Sequence, residues 1–331
     1  MALYTTDLLI LGSGPAGYTA GIYAVRAGLE TMIVSGNQEG GQLTMTSSIE
    51  NFPGFEEISG YELMDKMKQQ AVKLGVKCVN DHIVEVDFSS RPFVCSSQNG
   101  HSYKAKAVIV ATGASARWLE LESEKKYLGY GVSCCATCDG FFYRGRTVVV
   151  VGGGNSAVCE ALYLSTLADK VILVHRRNQL RADKILQDRV LNNKKIVVEW
   201  NSVVEEILGV ENPTKVTGIK IRNVETDVIK NIDADGVFVA VGHKPNTEIF
   251  KGNLVLDSKG YIVTHEKSSL TDVEGVFAAG DVMNPKYKQA VISAGSGALA
   301  AMDAIEFLDA EWFNLLWYHK GNMYYLEYIL Y

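Results

Sequence analysis

Cys135-Ala136-Thr137-Cys138, followed at once by Asp139-Gly140, is the segment of this sequence with the plainest chemistry. Two residues between cysteines, at a turn or helix start, let the sulfurs meet and favour a thiolate on one of them at modest pH. A C-x-x-C pair can also be half of a zinc site. That reading needs a second Cys or His pair, and Cys78, Cys95, Cys134, Cys159 and the histidines show no such spacing. No metal is expected, and Cys134 reads as a spare thiol. Asp139 has two readings: a turn aspartate before glycine, or a partly desolvated carboxyl carrying the proton that one thiolate needs when a disulfide is reduced by hydride.

Two glycine-rich turns come next. Gly12-Ser13-Gly14-Pro15-Ala16-Gly17 follows the apolar run Leu8 to Leu11, and Gly152-Gly153-Gly154-Asn155-Ser156-Ala157 follows Val148 to Val151. Glycines in such a turn let the backbone approach a pyrophosphate, while the next helix offers N–H donors and a positive dipole end. Two copies imply two dinucleotides, or one dinucleotide and an inert relic. An NAD site carries an acid about 20 residues beyond the glycines. Here that place holds His175-Arg176-Arg177, with Arg181 close behind. Guanidinium groups suit a phosphate, so the second site favours NADP, with a solvated basic turn as the bland alternative. The first site also lacks the acid, running into Ser35-Gly36, and the residues alone do not name its ligand.

The elements that must hold these residues follow from the apolar pattern. Each turn lies between a strand-like run and a helical stretch, and a second run follows, Thr31 to Val34 or Lys170 to Val174. That is strand, turn, helix, strand, twice. Val108 to Gly113 and Val237 to Gly242 close the two halves, and a third run, Val276 to Asp281, comes after both. The order predicts an α/β chain with two Rossmann-like domains, the second inserted into the first. Expected segments are 1–115, 116–244 and 245–310, with a tail at 311–331.

Composition sets the remaining bounds. The chain has 331 residues, 32 Lys+Arg against 38 Asp+Glu, a net charge of −6, 47% hydrophobic and 21% charged residues. That is an ordinary globular balance, and its sign argues against a nucleic-acid binder. Six cysteines are too few for a disulfide-stapled scaffold. Residues 8–25 are uncharged, but no Lys or Arg precedes them, and glycines and a proline interrupt them. They suit neither a signal peptide nor a spanning helix. A soluble, cytoplasmic protein is expected.

With these motifs in place, the chain resembles the low-molecular-weight thioredoxin reductases over nearly its whole length. The resemblance rests on GSGPAGYTA at 12–20, GGQLT at 40–44, ENFPGF at 50–55, ATGASAR at 111–117 and CATCDGFFY at 135–143. It continues in GGGNSAV at 152–158, HRR at 175–177, VGHKPNT at 241–247 and GDVMNPKYKQA at 280–290. It implies FAD in the first site, NADPH in the second, Cys135–Cys138 as the redox disulfide, thioredoxin as protein substrate and a homodimer. Carried over by position, it puts Gly12, Ser13, Gly14 and Ala16 at the FAD pyrophosphate and Gly41, Gln42 and Asn51 around the flavin. Thr112, Gly113, Gly280 and Asp281 join that site, with Lys288, Gln289 and Ala290 toward the isoalloxazine. Gly154, Asn155 and Ser156 fall at the NADPH phosphates, and His175, Arg176, Arg177 and Arg181 at the 2′-phosphate end.

Three features depart from the family pattern. Lys288 replaces a common arginine, which loosens one flavin contact and keeps the charge. Leu119-Glu120-Leu121-Glu122 lacks a proline, so a less stiff linker is expected. The tail from 311, rich in aromatics such as Trp312, Phe313, Trp317 and Tyr318, matches nothing in the family. Two rival functions share the framework: an NADPH-dependent flavin disulfide reductase acting on another protein or small-molecule disulfide, and a redox-sensing flavoprotein without turnover. Reductases serving peroxidases usually carry an extra N-terminal redox domain, and this chain begins almost at its first strand. Because the NADPH turn and the disulfide share the inserted segment, that segment is expected to rotate between two states at the flavin.

Overall fold

The computed structural model describes residues 2–46, 48–265 and 268–320, with side chains described as far as Ala310. The chain forms two compact units, one of 1–44, 59–114 and 245–331, the other of 45–58 and 115–244. The inserted segment therefore takes with it residues 45–58, which the sequence alone assigned to the first segment. That short stretch has its own closure, since Ile49 and Ile58 bridge each other through backbone hydrogen bonds.

In the first unit, β1 (Leu3–Leu11), α1 (Pro15–Arg26) and β2 (Thr31–Val34) make the opening strand–turn–helix–strand. After α2 (Gly60–Leu74) come β3 (Lys77–Val79), β4 (Ile83–Asp87), β5 (Phe93–Ser97) and β6 (Ser102–Val110). The sheet order is β3-β2-β1-β6-β5-β4; β1 runs parallel to β2 and β6, and β5 is antiparallel to its neighbours. Leu8, Leu9 and Ile10 are fully buried. A parallel strand covered on both faces reads as a continuous apolar run, which is why β1 was visible in the sequence.

The long segment of the second unit starts at Ser115 within β7 (Ala114–Ala116), continuing through α3 (Glu122–Lys126), β8 (Val132–Ser133) and α4 (Ala136–Asp139). Next come β9 (Thr147–Gly152), α5 (Asn155–Leu167), β10 (Lys170–Val174), α6 (Lys184–Leu191) and β11 (Ile196–Glu199). An antiparallel trio, β12 (Ser202–Glu211), β13 (Thr214–Asn223) and β14 (Ile229–Asp233), precedes β15 (Gly236–Ala240) and β16 (His243–Pro245). The parallel sheet is ordered β11-β10-β9-β15-β8. The linker expected to be slack is instead tied down. The backbone N–H groups of Leu119 and Glu120 both donate to the buried Glu124 carboxylate, at 2.9 Å each.

Back in the first unit, β17 (Val276–Ala278) lies parallel to β6, and α7 runs over Ala290–Lys320. By length and composition the stretch Ala290–Ala310 could cross a membrane. Its Ala300, Ala301, Ala304 and Leu308 are buried in the same core cluster as Tyr18 and Ala20 of α1. A side chain at Gly297 would run into the Ala16 carbonyl. One face of this stretch is packed into the core, while Val291, Ile292, Leu299 and Met302 are exposed. The aromatic tail named above lies outside the described residues from position 321, and α7 carries its first part.

Candidate active site

Strand β8 delivers the chain to the redox segment and α4 shapes it. The Cys135 N–H donates to Ser133 Oγ at 3.0 Å, and the Cys135 carbonyl accepts from Cys138 N–H at 3.2 Å and Asp139 N–H at 3.1 Å. This single turn brings the two cysteine Cα atoms to 5.3 Å and joins the sulfurs in a Cys135–Cys138 disulfide. Ser133 also hydrogen-bonds the Asp139 side chain, which holds its pKa down, but burial outweighs this and pushes the carboxyl above its ordinary range. A carboxyl so raised can hold a proton one residue from the second sulfur. The Cys134 thiol is pushed up to about 11 by burial and by the facing Glu160 and Asp139. It stays protonated at neutral pH, as a spare thiol should.

The second glycine-rich turn lies in the same unit. Gly154 is the N-cap of α5 without a side-chain cap, and a Cβ there would meet nothing within 4 Å. A phosphate has room to approach that helix end. The loop after β10 is pinned to this turn, because Arg181 N–H donates to the Gly153 carbonyl at 2.7 Å. Arg176, Arg177 and Arg181 are all exposed. His175 differs from them: it is 4% exposed, its ring lies where a Gly153 side chain would go, and Nε2 meets the Gln179 carbonyl at 3.0 Å. Burial lowers its pKa, so it supports the turn as a neutral ring. Asn155 pairs with Asp183 through two hydrogen bonds of 2.8 Å, and Ser156 is exposed beside it.

The first turn is the tighter of the two. Gly12 has φ 113°, and a side chain at Gly17 would collide with the Gly12 carbonyl. Ser13, 2% exposed, donates to the Ser35 carbonyl and accepts from Gly40 N–H, each at 3.0 Å, linking the turn to the loop that carries Gly41 and Gln42. Gly14 caps α1 with open space beside it, and Gly280 sits against Ala16. Asp281, distant in sequence, thereby reaches the same end of the sheet. It accepts from Ser293 Oγ at 2.9 Å and is raised by burial. Lys288 donates to the Asn284 carbonyl at 2.8 Å and lies 4.7 Å over the Tyr261 ring. Thr112 and Gly113 are clasped by Asn246 in three hydrogen bonds of 2.8 to 3.0 Å. Asn51 alone falls in the other unit, on the 45–58 segment.

Comparison with known proteins agrees with this architecture. The chain matches the pyridine nucleotide-disulphide oxidoreductase family over residues 6–297. It is 52% identical over 306 residues to the thioredoxin reductase of Rickettsia conorii, covering 92% of this chain and 99% of that one. The chain belongs to the thioredoxin reductase family. Among solved structures it is similar to a thioredoxin reductase from Giardia duodenalis, at 40% identity and a TM-score of 0.89. It is also similar to one from Streptococcus pyogenes, at 42% and 0.88. Both alignments cover 92% of this chain and 99% of the other. As in that family, FAD and NADPH are the cofactors, and the two uncapped glycine turns fit them.

Sequence reasoning missed Ser133, Asn246 and Glu160. Ser133 carried a faint signal, a hydroxyl two residues before the first cysteine. Asn246 pairs across a long sequence gap, and nothing local marks it.

Proposed function

We infer that this protein reduces the disulfide of thioredoxin with electrons from NADPH, by way of FAD and the Cys135–Cys138 pair. The observation that carries the reading is a Cys135–Cys138 disulfide on the same unit as a glycine turn with a basic loop, in a chain about half identical to thioredoxin reductases. When bound, FAD accepts a hydride from NADPH and supplies two electrons to a disulfide. Everything else falls to the chain. Gly12, Ser13, Gly14, Ala16, Gly280 and Asp281 hold the FAD pyrophosphate and ribityl side, with Thr112 and Gly113 beside them. Gly41, Gln42, Asn51, Lys288, Gln289 and Ala290 line the flavin. Gly154, Asn155 and Ser156 take the NADPH phosphates, and Arg176, Arg177 and Arg181 the 2′-phosphate, with His175 behind the turn. Asp139 holds the proton that one sulfur takes up when the disulfide opens. The other sulfur, as thiolate, attacks the partner's disulfide.

The chain works as a homodimer in the cytoplasm. Purified, FAD-loaded protein mixed with NADPH and thioredoxin tests the reading. NADPH should be consumed beyond the amount that reduces the protein itself only when thioredoxin is present, with free thiols appearing on thioredoxin. Turnover with some other disulfide and none with thioredoxin would overturn it.

A further inference from the structure

One buried side-chain oxygen among the described residues has no hydrogen-bond partner: Oε2 of Glu160. Glu160 lies on α5, the helix opened by the second glycine turn, yet it serves the redox segment. Its carboxyl accepts the N–H of Ala136, the peptide joined to Cys135. Helix α4 has only four residues, so an acceptor from another element does much to fix its first turn. The same carboxyl bears on the Cys134 thiol, as Asp139 does. An ionised carboxylate with one buried, unpaired oxygen is costly, whereas a neutral acid there is not. Burial pushes Glu160 up to about 7, against the opposing pull of the Ala136 N–H.

The titratable residues on the elements packed against α5 leave this balance alone. From the elements packed on α5 come Asp139 of α4, Tyr143 after it, Lys184, Asp188 and Arg189 of α6, Lys170 of β10 and Glu199 of β11. Cys159 adjoins it on α5 itself. None of these contributes to the displacement of Glu160.

We propose that Glu160 is a positioning residue of the redox centre that fixes the Ala136 peptide beside Cys135 and takes up a proton when a thiolate forms there. The proposal rests on the disulfide-reductase reading. Reduction breaks the Cys135–Cys138 bond and puts two electrons on the sulfurs. One sulfur is protonated through Asp139, and the other remains a thiolate. A thiolate on Cys135 and an ionised Glu160 held at the adjoining Ala136 peptide repel, so Glu160 draws a proton from solvent. When the thiolate attacks a partner disulfide, a new S–S bond forms, the partner's sulfur leaves as thiolate, and Glu160 releases its proton.

The test is the pH profile of alkylation. FAD-loaded protein is reduced by NADPH without oxygen and treated with iodoacetamide across neutral pH. The rates at Cys135 and Cys138 are read separately by peptide mass spectrometry. The native profile should carry a second inflection besides that of the thiol itself, lying above the value of about 7 that burial gives Glu160 beside the disulfide, because the thiolate raises it further. Glu160→Gln keeps an acceptor for Ala136 N–H and loses the charge. It should erase that inflection and move the thiolate midpoint down by about one pH unit. A profile unchanged in Glu160→Gln overturns the proposal. If that variant fails to hold FAD, Glu160→Asp decides: a displaced inflection supports the proposal, and its absence overturns it. Thioredoxin takes no part in the assay, so a wrong partner leaves the result intact. Failure of NADPH to expose any alkylatable thiol in the native protein would instead strike the functional reading itself.

Discussion

At Gly12–Gly17 and at Gly152–Ala157 the chain makes the same turn, from a buried parallel strand into a helix capped by glycine alone. The surroundings differ. The first turn is closed in by Ser13, Ala16 and Gly280, all within one unit and reached from both ends of the chain. The second is flanked by exposed arginines on a loop tied to it by the Arg181–Gly153 backbone hydrogen bond and the Asn155–Asp183 pair, and its unit also carries the disulfide. A tightly enclosed turn suits a resident cofactor, while an open basic one suits a coenzyme that must come and go. On the proposed reading, the pairing of the open turn with the disulfide in one unit would give that unit both the coenzyme and the protein partner to exchange.

The sharpest way to break this contrast is to stop the exchange. A crosslink that holds Cys138 against the flavin should abolish flavin reduction by NADPH. A normal rate in the locked protein would mean that the inserted unit need not move. Asp139→Asn comes next. If its raised carboxyl supplies the proton, thioredoxin turnover should fall by about 10² to 10⁴-fold, the usual scale for a general acid. In the native protein turnover should decline as pH rises through the Asp139 pKa, since only the protonated acid can donate, and stopped-flow profiles should show the variant flat there.

How much of this was legible in the sequence depended on how much of it was local. β1, β9 and the strands beside them read as apolar runs because both faces are buried, and the glycine turns read because their spacing is fixed by the backbone. Cys135–Cys138 was legible for the same reason. Glu160 was not, because a lone glutamate on a helix looks like solvated surface until α4 is laid beside it. Nor did the sequence show that residues 45–58 group with the inserted segment, since no change of composition marks either end.

Effects no larger than these sharpen the two sides separately. Arg176→Ala with Arg177→Ala should raise the KM for NADPH by about 10² to 10⁴-fold, from about 1.5–3 kcal/mol for a charged hydrogen bond at each of the two residues, and leave that for NADH nearly unchanged. Equal losses for both coenzymes would remove the 2′-phosphate assignment. Ser13→Ala leaves the Gly40 N–H unsatisfied and should weaken FAD retention by about 5 to 10-fold, at roughly 1 kcal/mol for the lost bond, with no change in KM for NADPH. Equilibrium dialysis of the flavin reads it.

That the Cys135–Cys138 pair is the exit for electrons is tested most directly by splitting the reaction in two. Cys135→Ser and Cys138→Ser proteins, loaded with FAD and mixed with NADPH without oxygen, are followed by flavin absorbance, and thioredoxin is added afterwards. Bleaching of the flavin as in the native protein, with no thiols appearing on thioredoxin, is the predicted result. Substantial thioredoxin reduction by either variant would contradict the account and move the redox centre to Cys134 or another thiol.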